Sequence, residues 1–439
     1  MPLLACSRSD LRCLARLAGV CFAAVWARAA ELHVGGNQAF PTVRGALEAA
    51  HAGDTIRVHH GLYREGNLVI DKPLTVIGVD RPVLDGGGTI EVLTVTASHV
   101  TLRGLVIQNG GASSLHDLAG IRVVNASHVV VEGNRILDCS FGIYLSKSRD
   151  STIRRNEIRG APGRESTNGN GVHGWSGERL EISENDVRGH RDGIYLEFVT
   201  DSQIAGNTVA DCLRYGLHFM SAHRNAYRRN TFERNGAGVA VMFSREVHME
   251  GNRFAHNWGS AAYGLLLKDL SDSRIVGNVF ESNSIAVTLQ SSSRMTVSRN
   301  QFRRNGWALQ IQASCSENSF LENNFIGNSF DVTSTGQLDL THFAGNYWDK
   351  AEVFDLNRDG VGDVPHRPLS LFAVLVERVP SALLLLRSPL VHFLDRAERI
   401  FPTLTPDRLH DPRPAMRPHP PGTPGLHGSL TLPKTIQRS

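Results

Sequence analysis

Five side chains set the chemistry to look for. His173, Glu197, His218, Met220 and Met242 fall at matching places in successive stretches of a repetitive sequence. Imidazole and thioether together are the donors that a soft or borderline ion such as Cu(I) prefers, and a carboxylate adds an anionic ligand. The chain has only six Met in 439 residues, so two Met in register on one face are worth explaining. A second set is Asp355, Asn357, Asp359 and Asp363, with an oxygen donor at alternate positions from 355 to 359 and Gly360 at the turn. That spacing is like a calcium-binding loop. Its twelfth position is His366 rather than Glu, so the bidentate ligand is missing. A weak site for Ca²⁺ or another divalent ion and an ion-free turn both stay open. His223, His248 and Met249 lie close to the first set but are expected at turns.

The elements that position these residues follow from a repeat. Asn precedes a short apolar step at 134, 156, 185, 207, 230, 252, 278 and 300, at intervals of 22, 29, 22, 23, 22, 26 and 22. Gly opens a strand at 120, 142, 171, 193, 216, 238 and 264, at intervals of 22, 29, 22, 23, 22 and 26. Two markers sharing one interval series identify a repeat architecture. Apolar residues alternate in Ile143-Tyr144-Leu145 and Ile194-Tyr195-Leu196, which is strand periodicity. Several short strands in each repeat of about 22 residues, stacked in register, predict an all-β chain folded as a right-handed parallel β-helix. The Asn series predicts a side-chain amide ladder at one turn. At a strand spacing of about 4.8 Å, residues 56–346 make a rod roughly 55–60 Å long.

Counting from each strand-opening Gly, positions +1 and +3 are apolar and face inward, so +2 and +4 face outward. The outward pairs are Tyr144/Ser146, His173/Trp175, Tyr195/Glu197, His218/Met220, Ala240/Met242 and Leu266/Lys268. This count brings the five residues together on one sheet face. The longer intervals insert residues near 160–171 and 256–264, and both loops should emerge on one edge and frame that face.

A net charge of +3, from 46 Lys+Arg and 43 Asp+Glu, argues against a nucleic-acid partner. Charged residues at 20% and hydrophobics at 41% exclude wholesale disorder. The charge is uneven: +3 in residues 1–30, −5 in 31–363 and +5 in 364–439. Residues 1–29 read as an export signal, with Arg8, Arg12 and Arg16 before an apolar stretch and Ala27-Arg28-Ala29 as a cleavage site. Of the six Cys, Cys139, Cys212 and Cys315 would remain. The repeat holds Cys139 and Cys212 three coils apart, beyond disulfide reach, so each reads as a small buried hydrophobe. Residues 30–54 form an N-terminal cap, with Val43, Ala46, Leu47 and Ala50 on one helical face. The β-helix runs over 55–349, the Asp/Gly-rich loop over 350–369, apolar helices over 370–405 and a Pro-rich mobile tail over 406–439. Nine of the 18 Pro lie in residues 402–433.

The stretch ALEAAHAGDTIRVHHGLYREGNLVIDKPLTVIG, residues 46–78, resembles the pectin-lyase-like carbohydrate-binding and sugar-hydrolase superfamily. A closer resemblance lies in Gly345-Asn-Tyr-Trp-Asp349, the run Phe354 to Asp363, Pro365-His-Arg-Pro368 and the apolar segment 371–406. These are similar to the C-terminal signature of the NosD family, and the resemblance spans about residues 31–418. It implies a periplasmic maturation factor for nitrous oxide reductase. Such a factor works with an ABC transporter (NosF ATPase, NosY permease) and a copper chaperone, NosL, to load copper, with sulfur as a further candidate cargo. It implies transient Cu(I) binding, which maps here only onto the His/Met face reached by counting.

Leu371, Leu375, Leu383, Leu384, Leu386, Leu390 and Phe393 then become candidates for docking on the permease, leaving the protein peripheral to the membrane through its C-terminal segment. Arg387, Arg396 and Arg399 would lie near headgroups or acidic partner residues. The competing role for this segment is to cap the open end of the β-helix. The reading from sequence is a non-enzymatic assembly factor. The alternatives are a pectin-lyase-like carbohydrate lyase or epimerase, and a structural surface rod. Asp192 and Glu197 share one coil and are the candidate carboxylates for an enzyme, but no carboxylate cluster recurs beside them.

Overall fold

The computed structural model describes residues 29–113, 115–160, 168–259, 262–336, 338, 340–386, 388–401 and 409–420. The expected export signal lies outside the described residues apart from Ala29, as do residues 161–167 of the first inserted loop, 260–261 of the second, and Arg387.

Each full coil places one short strand in each of three parallel sheets. The sheets hold 14, 12 and 13 strands, and the chain winds through about 13 turns as a right-handed β-helix. The fourteen-stranded sheet runs from Glu31–Val34 to His342–Ala344, the twelve-stranded from Leu68–Ile70 to Phe330–Ser334, and the thirteen-stranded from Leu62–Tyr63 to Tyr347–Trp348. Alternation puts one apolar row per sheet inside. In the thirteen-stranded sheet that row, after Tyr63 in the first strand, is aliphatic through Ile136, Ile158, Val187 and Val209, and turns aromatic from Phe232 onward. Phe254, Phe280, Phe302 and Phe325 stack with centroids 4.6–5.1 Å apart, and Trp348 closes the stack 4.0 Å above Phe325. Each buried ring contributes roughly 1.5–3 kcal/mol by removal from water.

The Asn ladder forms as expected and extends further, through Asn323 to Asn346. From Asn156 on, each side-chain oxygen accepts from the backbone N–H of the Asn one coil earlier, as from Asn252 to Asn278 at 2.8 Å and from Asn278 to Asn300 at 2.9 Å. The amide nitrogens donate to backbone carbonyls, as Asn278 does to Met249 at 3.0 Å. Buried turn groups are thereby paired in coil after coil. A second ladder, five residues further on, runs through Asn235, Asn257, Asn283, Asn305 and Asn328. Cys139, His190 and Cys212 occupy its positions in earlier coils, and Cys212 N–H still donates to the Asn235 side chain at 3.0 Å. Cys139, Cys212 and Cys315 are all free and buried.

The second ladder explains the Gly series. A Cβ on Gly216 would stand 2.7 Å from the Gly238 carbonyl oxygen and 2.8 Å from Asn235 Nδ2; one on Gly238 would stand 2.3 Å from the Gly264 oxygen. At this corner the chain turns two successive residues, the Gly and its +1 neighbour, toward the core. In these coils a side chain on the first of them would clash, whereas Ala286 and Ala308 hold the same place in the two coils after Gly264. The strict alternation resumes one residue later.

Both ends are closed. At the start, helix α1 (Val43–Ala49) takes Thr42 as N-cap and buries Val43, Ala46 and Leu47. The Lys72 ammonium donates to the carbonyls of Leu47, Glu48 and Ala50 at its far end, which suits the negative pole of the helix. At the finish, helix α2 (Leu371–Arg378), a 3₁₀ turn (Pro380–Leu385) and helix α3 (Pro389–Ile400) form an apolar excursion. Phe372, Ala373 and Val376 of α2 pack with Phe330, Ala382 and Val391, so this side of the excursion covers the last strand of the twelve-stranded sheet.

The expectation of a mobile tail from 406 onward fails for residues 409–420. Leu409 is buried, and Asp411 is fully enclosed. Asp411 Oδ2 accepts from Asn346 N at 2.9 Å, from Asn346 Nδ2 at 2.9 Å and from Trp348 Nε1 at 3.2 Å, so it ends the Asn ladder. Backbone bridges Val361 to Ala415 and His366 to Asp411 run antiparallel across the base of the excursion. Proline richness signals lack of helix or sheet interior, not lack of attachment.

Candidate functional site

The outward face of the twelve-stranded sheet carries the candidate residues in the predicted register. Across neighbouring strands, Tyr144, His173, Tyr195, His218, Ala240 and Leu266 are aligned, and so are Ser146, Trp175, Glu197, Met220, Met242 and Lys268. Met220 and Met242 are direct cross-strand partners and half-buried. His218 lies two residues from Met220 on the same face, with the small Ala240 as its neighbour. These are the residues the structure brings together. Glu197 precedes Met220 in the same row, while His173 is two coils from His218 with Tyr195 between them.

The first row is an imidazole–phenol ladder. Tyr144 stacks on His173 with centroids 4.3 Å apart, His173 on Tyr195 at 4.9 Å, and Tyr195 meets His218 edge-on at 4.8 Å. The Arg122 guanidinium lies 4.6 Å over Tyr144. Burial, with Arg191 nearby, pushes His173 down to about 3, so its imidazole is neutral. Burial, with the Glu197 carboxylate beside it, pushes the Tyr195 phenol up to about 12.

The two His differ in what holds them. Asn170 Nδ2 lies 2.9 Å from His173 Nδ1. Its amide orientation is set by Arg191, which donates to Asn170 Oδ1 at 3.3 Å. The Asn therefore donates, and His173 Nδ1 is an acceptor already in use. His218 Nδ1 instead faces Asp192 Oδ2 at 3.5 Å. Sequence reasoning missed this pairing. Asp192 sits one residue before the strand-opening Gly, outside the +2/+4 count, and the double inward turn at Gly returns it to the outer face. Asp192 is fully buried. Arg214 Nε donates to its Oδ1 at 2.9 Å and Arg214 Nη2 to its Oδ2. Burial raises the Asp192 carboxyl, but Arg214 and then His218 more than offset this and hold it below its ordinary value.

Among the described residues, no three His, Cys, Asp or Glu converge as a metal site. The second candidate set closes on itself. Asp355 accepts from Asp359 N and Gly360 N, Asn357 Oδ1 from Asp359 N, Asp359 Oδ1 from Val361 N, and Asp363 Oδ2 from Leu356 N. Those side chains bond their own backbone as Asx turns do. His248 lies in a strand with an exposed side chain, and Met249 is core, 1% exposed, because the middle residue of each three-residue strand in the fourteen-stranded sheet points inward.

The docking candidates divide. Leu371 and Leu386 are half-buried, and Leu375 is at the margin of exposure at 36%. Leu383, Leu384, Leu390 and Phe393 are exposed, Leu384 at 90% and Phe393 at 68%. Among the described residues, no helix is long and apolar enough to cross a membrane.

A family model described as "Periplasmic copper-binding protein (NosD)" matches residues 155–353, and one described as "Right handed beta helix region" matches 62–169. A Pseudomonas aeruginosa protein, "Probable ABC transporter binding protein NosD", is 30% identical over 371 residues, covering 80% of this chain and 86% of its own. The chain belongs to the NosD family. A NosD of the same description from Stutzerimonas stutzeri is 28% identical over 373 residues, covering 80% of this chain and 85% of that one. Among solved structures, tailspike protein 3 of bacteriophage CBA120 aligns at a TM-score of 0.51 with 14% identity, over 70% of this chain and 54% of that one. The A-module of the Azotobacter vinelandii mannuronan C-5 epimerase AlgE4 aligns at 0.45 with 16% identity, over 69% and 90%. These likenesses concern the fold.

Proposed function

We propose that this protein is a periplasmic assembly factor that takes up Cu(I) on the His218/Met220/Met242 face and works with an ABC transporter to deliver it to apo nitrous oxide reductase. The observation that carries the reading is the register: one buried imidazole and two half-buried thioethers on adjacent coils of one face. Two thioethers and one imidazole suit Cu(I) and discriminate against harder ions. The family description as copper-binding supports it. Phe198 and Phe243 stand exposed beside this face at positive φ, a backbone conformation unfavourable for bulky side chains. They straddle the coil of His218 and Met220 and offer a copper-carrying protein such as NosL an apolar rim.

The helical excursion serves the second contact. One side caps the rod, and Leu383, Leu384, Leu390 and Phe393 on the rest of its surface meet the permease NosY, whose partner is the ATPase NosF. The relatives' description as transporter binding proteins supports this.

The test is anaerobic Cu(I) titration of residues 30–439 against a chromogenic chelator. Combined His218→Ala, Met220→Ala and Met242→Ala should abolish Cu(I) retention and leave the circular dichroism spectrum unchanged. Unaltered affinity in that triple variant overturns the site. Leu384→Ser with Phe393→Ser should abolish co-purification with NosY and NosF at an unchanged melting temperature, since both side chains are exposed; full co-purification would remove the docking role.

A further inference from the structure

The inference concerns Asp192 and rests on the copper reading of the same face. An ion pair is no rarity in this molecule. Arg224 with Asp201, Arg234 with Asp211 and Arg294 with Asp272 repeat along the turns, but those pairs are exposed. The Asp192–Arg214 pair differs because its carboxylate side chain is 0% exposed. A buried ion pair is on average no gain in stability over apolar packing, so a further role for it is worth seeking. Beyond Arg214, that carboxylate accepts from Tyr215 N at 3.3 Å and faces the His218 ring.

His218 supplies an independent observation. Its side chain is 6% exposed, and apart from the 3.5 Å approach of Nδ1 to Asp192 neither ring nitrogen meets a hydrogen-bond partner. A buried polar atom without a partner is destabilising and calls for an explanation. The carboxylate, already ionised and acceptor-only, favours a proton on Nδ1. Nε2, on the far side of the ring from Asp192, then keeps its lone pair. His173 is held the other way: the Asn170 amide donates to its Nδ1, which leaves the proton on Nε2. The residues deciding the two tautomers, Asn170 and Asp192, occupy equivalent places, one before the Gly at 171 and one before the Gly at 193.

We infer that Asp192 is a positioning residue that holds His218 in its Nδ1–H tautomer and so presents Nε2 as the nitrogen donor to Cu(I), while Asn170 withholds His173 from that role. A carboxylate behind a metal-binding imidazole sets both its orientation and its basicity. The two imidazoles of the face are thereby made unequal, and only the one beside Met220 and Met242 is a donor.

The closing experiment begins with the metal-free, ¹⁵N-labelled protein. Long-range ¹H–¹⁵N correlation spectra should show His218 as Nδ1–H and His173 as Nε2–H. Asp192→Asn should convert His218 to Nε2–H, because the new amide donates as Asn170 does, and should lower Cu(I) affinity about 10–100-fold. Asn170→Asp, with Arg191 beside it, should convert His173 to Nδ1–H without lowering Cu(I) affinity, and this variant leaves the Asp192–Arg214 pair intact. Nε2–H at His218 in the wild-type protein overturns the inference, as does Cu(I) affinity in Asp192→Asn equal to wild type. Failure of the wild-type protein to bind Cu(I) overturns the copper reading instead, and the spectra still decide whether Asp192 sets the tautomer.

Discussion

The stacked coils and the C-terminal end are built on different logics. In the body, Asn278 takes its partners from the coils just before and after it, and the same pattern recurs from Asn134 to Asn346. No single link is special, because each coil is held by nearest neighbours. At the end the next acceptor comes from Asp411, 65 residues beyond Asn346, after the whole helical excursion. Residues near 361–366 and 411–415 pair across its base. The excursion is therefore clamped on both sides, and its exposed apolar surface is presented at a set place rather than on a loose tail. Stability is distributed in the body and concentrated at the end.

The sharpest way to break this contrast is Asp411→Ala. Its loss leaves Asn346 N, Asn346 Nδ2 and Trp348 Nε1 buried without their acceptor, and frees Gly345 N and Arg413 N as well. Removing one charged, multiply bonded buried partner is destabilising by about 3–5 kcal/mol. The expected result is local. Trp348 fluorescence should change at lower denaturant than the circular dichroism of the body, and hydrogen exchange should rise over 342–349 and 409–420 first. A single coincident transition would show that the end is not a separate point of closure.

Acid offers a second, somewhat smaller comparison, because each region holds a buried His. Burial pushes His190 in the body and His366 at the end down to about 4. Both bind protons more readily in the unfolded chain, so their contribution is complete above the ordinary His value of about 6.5 and falls as pH drops toward 4. The loss at His190 alone is on the order of 3 kcal/mol across that window. Urea midpoints should decline between pH 6.5 and 4.5. His190→Gln should flatten that decline for the body, and His366→Gln should flatten it for the Trp348 signal alone. A pH-independent midpoint in the wild-type protein would remove both assignments.

How much was legible in advance follows the same division. The coils, the Asn ladder and the composition of the outward face were readable because they repeat, and counting from Gly placed His218, Met220 and Met242 correctly. Asp192 was named only as a candidate catalytic carboxylate beside Glu197, and its pairing with His218 was not found, because the two successive inward residues at each Gly break the alternation on which the count relied. The second ladder was present in the text, five residues after each Asn from Asn235 on, but earlier coils substitute Cys139, His190 and Cys212 and so hid it. The attachment of Asp411 had no periodic signal at all. A contact made once, across 65 residues, leaves no pattern in a single sequence.

The smallest effect sharpens the body side of the comparison. Cys212 stands where later coils hold Asn. The position has room for one: a Cβ on Gly193 would lie 3.1 Å from Cys212 Sγ, and one on Gly216 would lie 2.8 Å from Asn235 Nδ2, so Asn already packs against the equivalent Gly one coil on. In Cys212→Asn the new amide would donate to Asn235 Oδ1, as Asn257 does to Asn283 at 2.9 Å. One added buried hydrogen bond is worth about 1 kcal/mol. The melting temperature should rise by a degree or two, and the gain should persist in the Asp411→Ala background, since distant sites in a stack add. A fall in stability would mean that the thiol is packed more closely than its successors, and that the ladder ends at Asn235 for a steric reason.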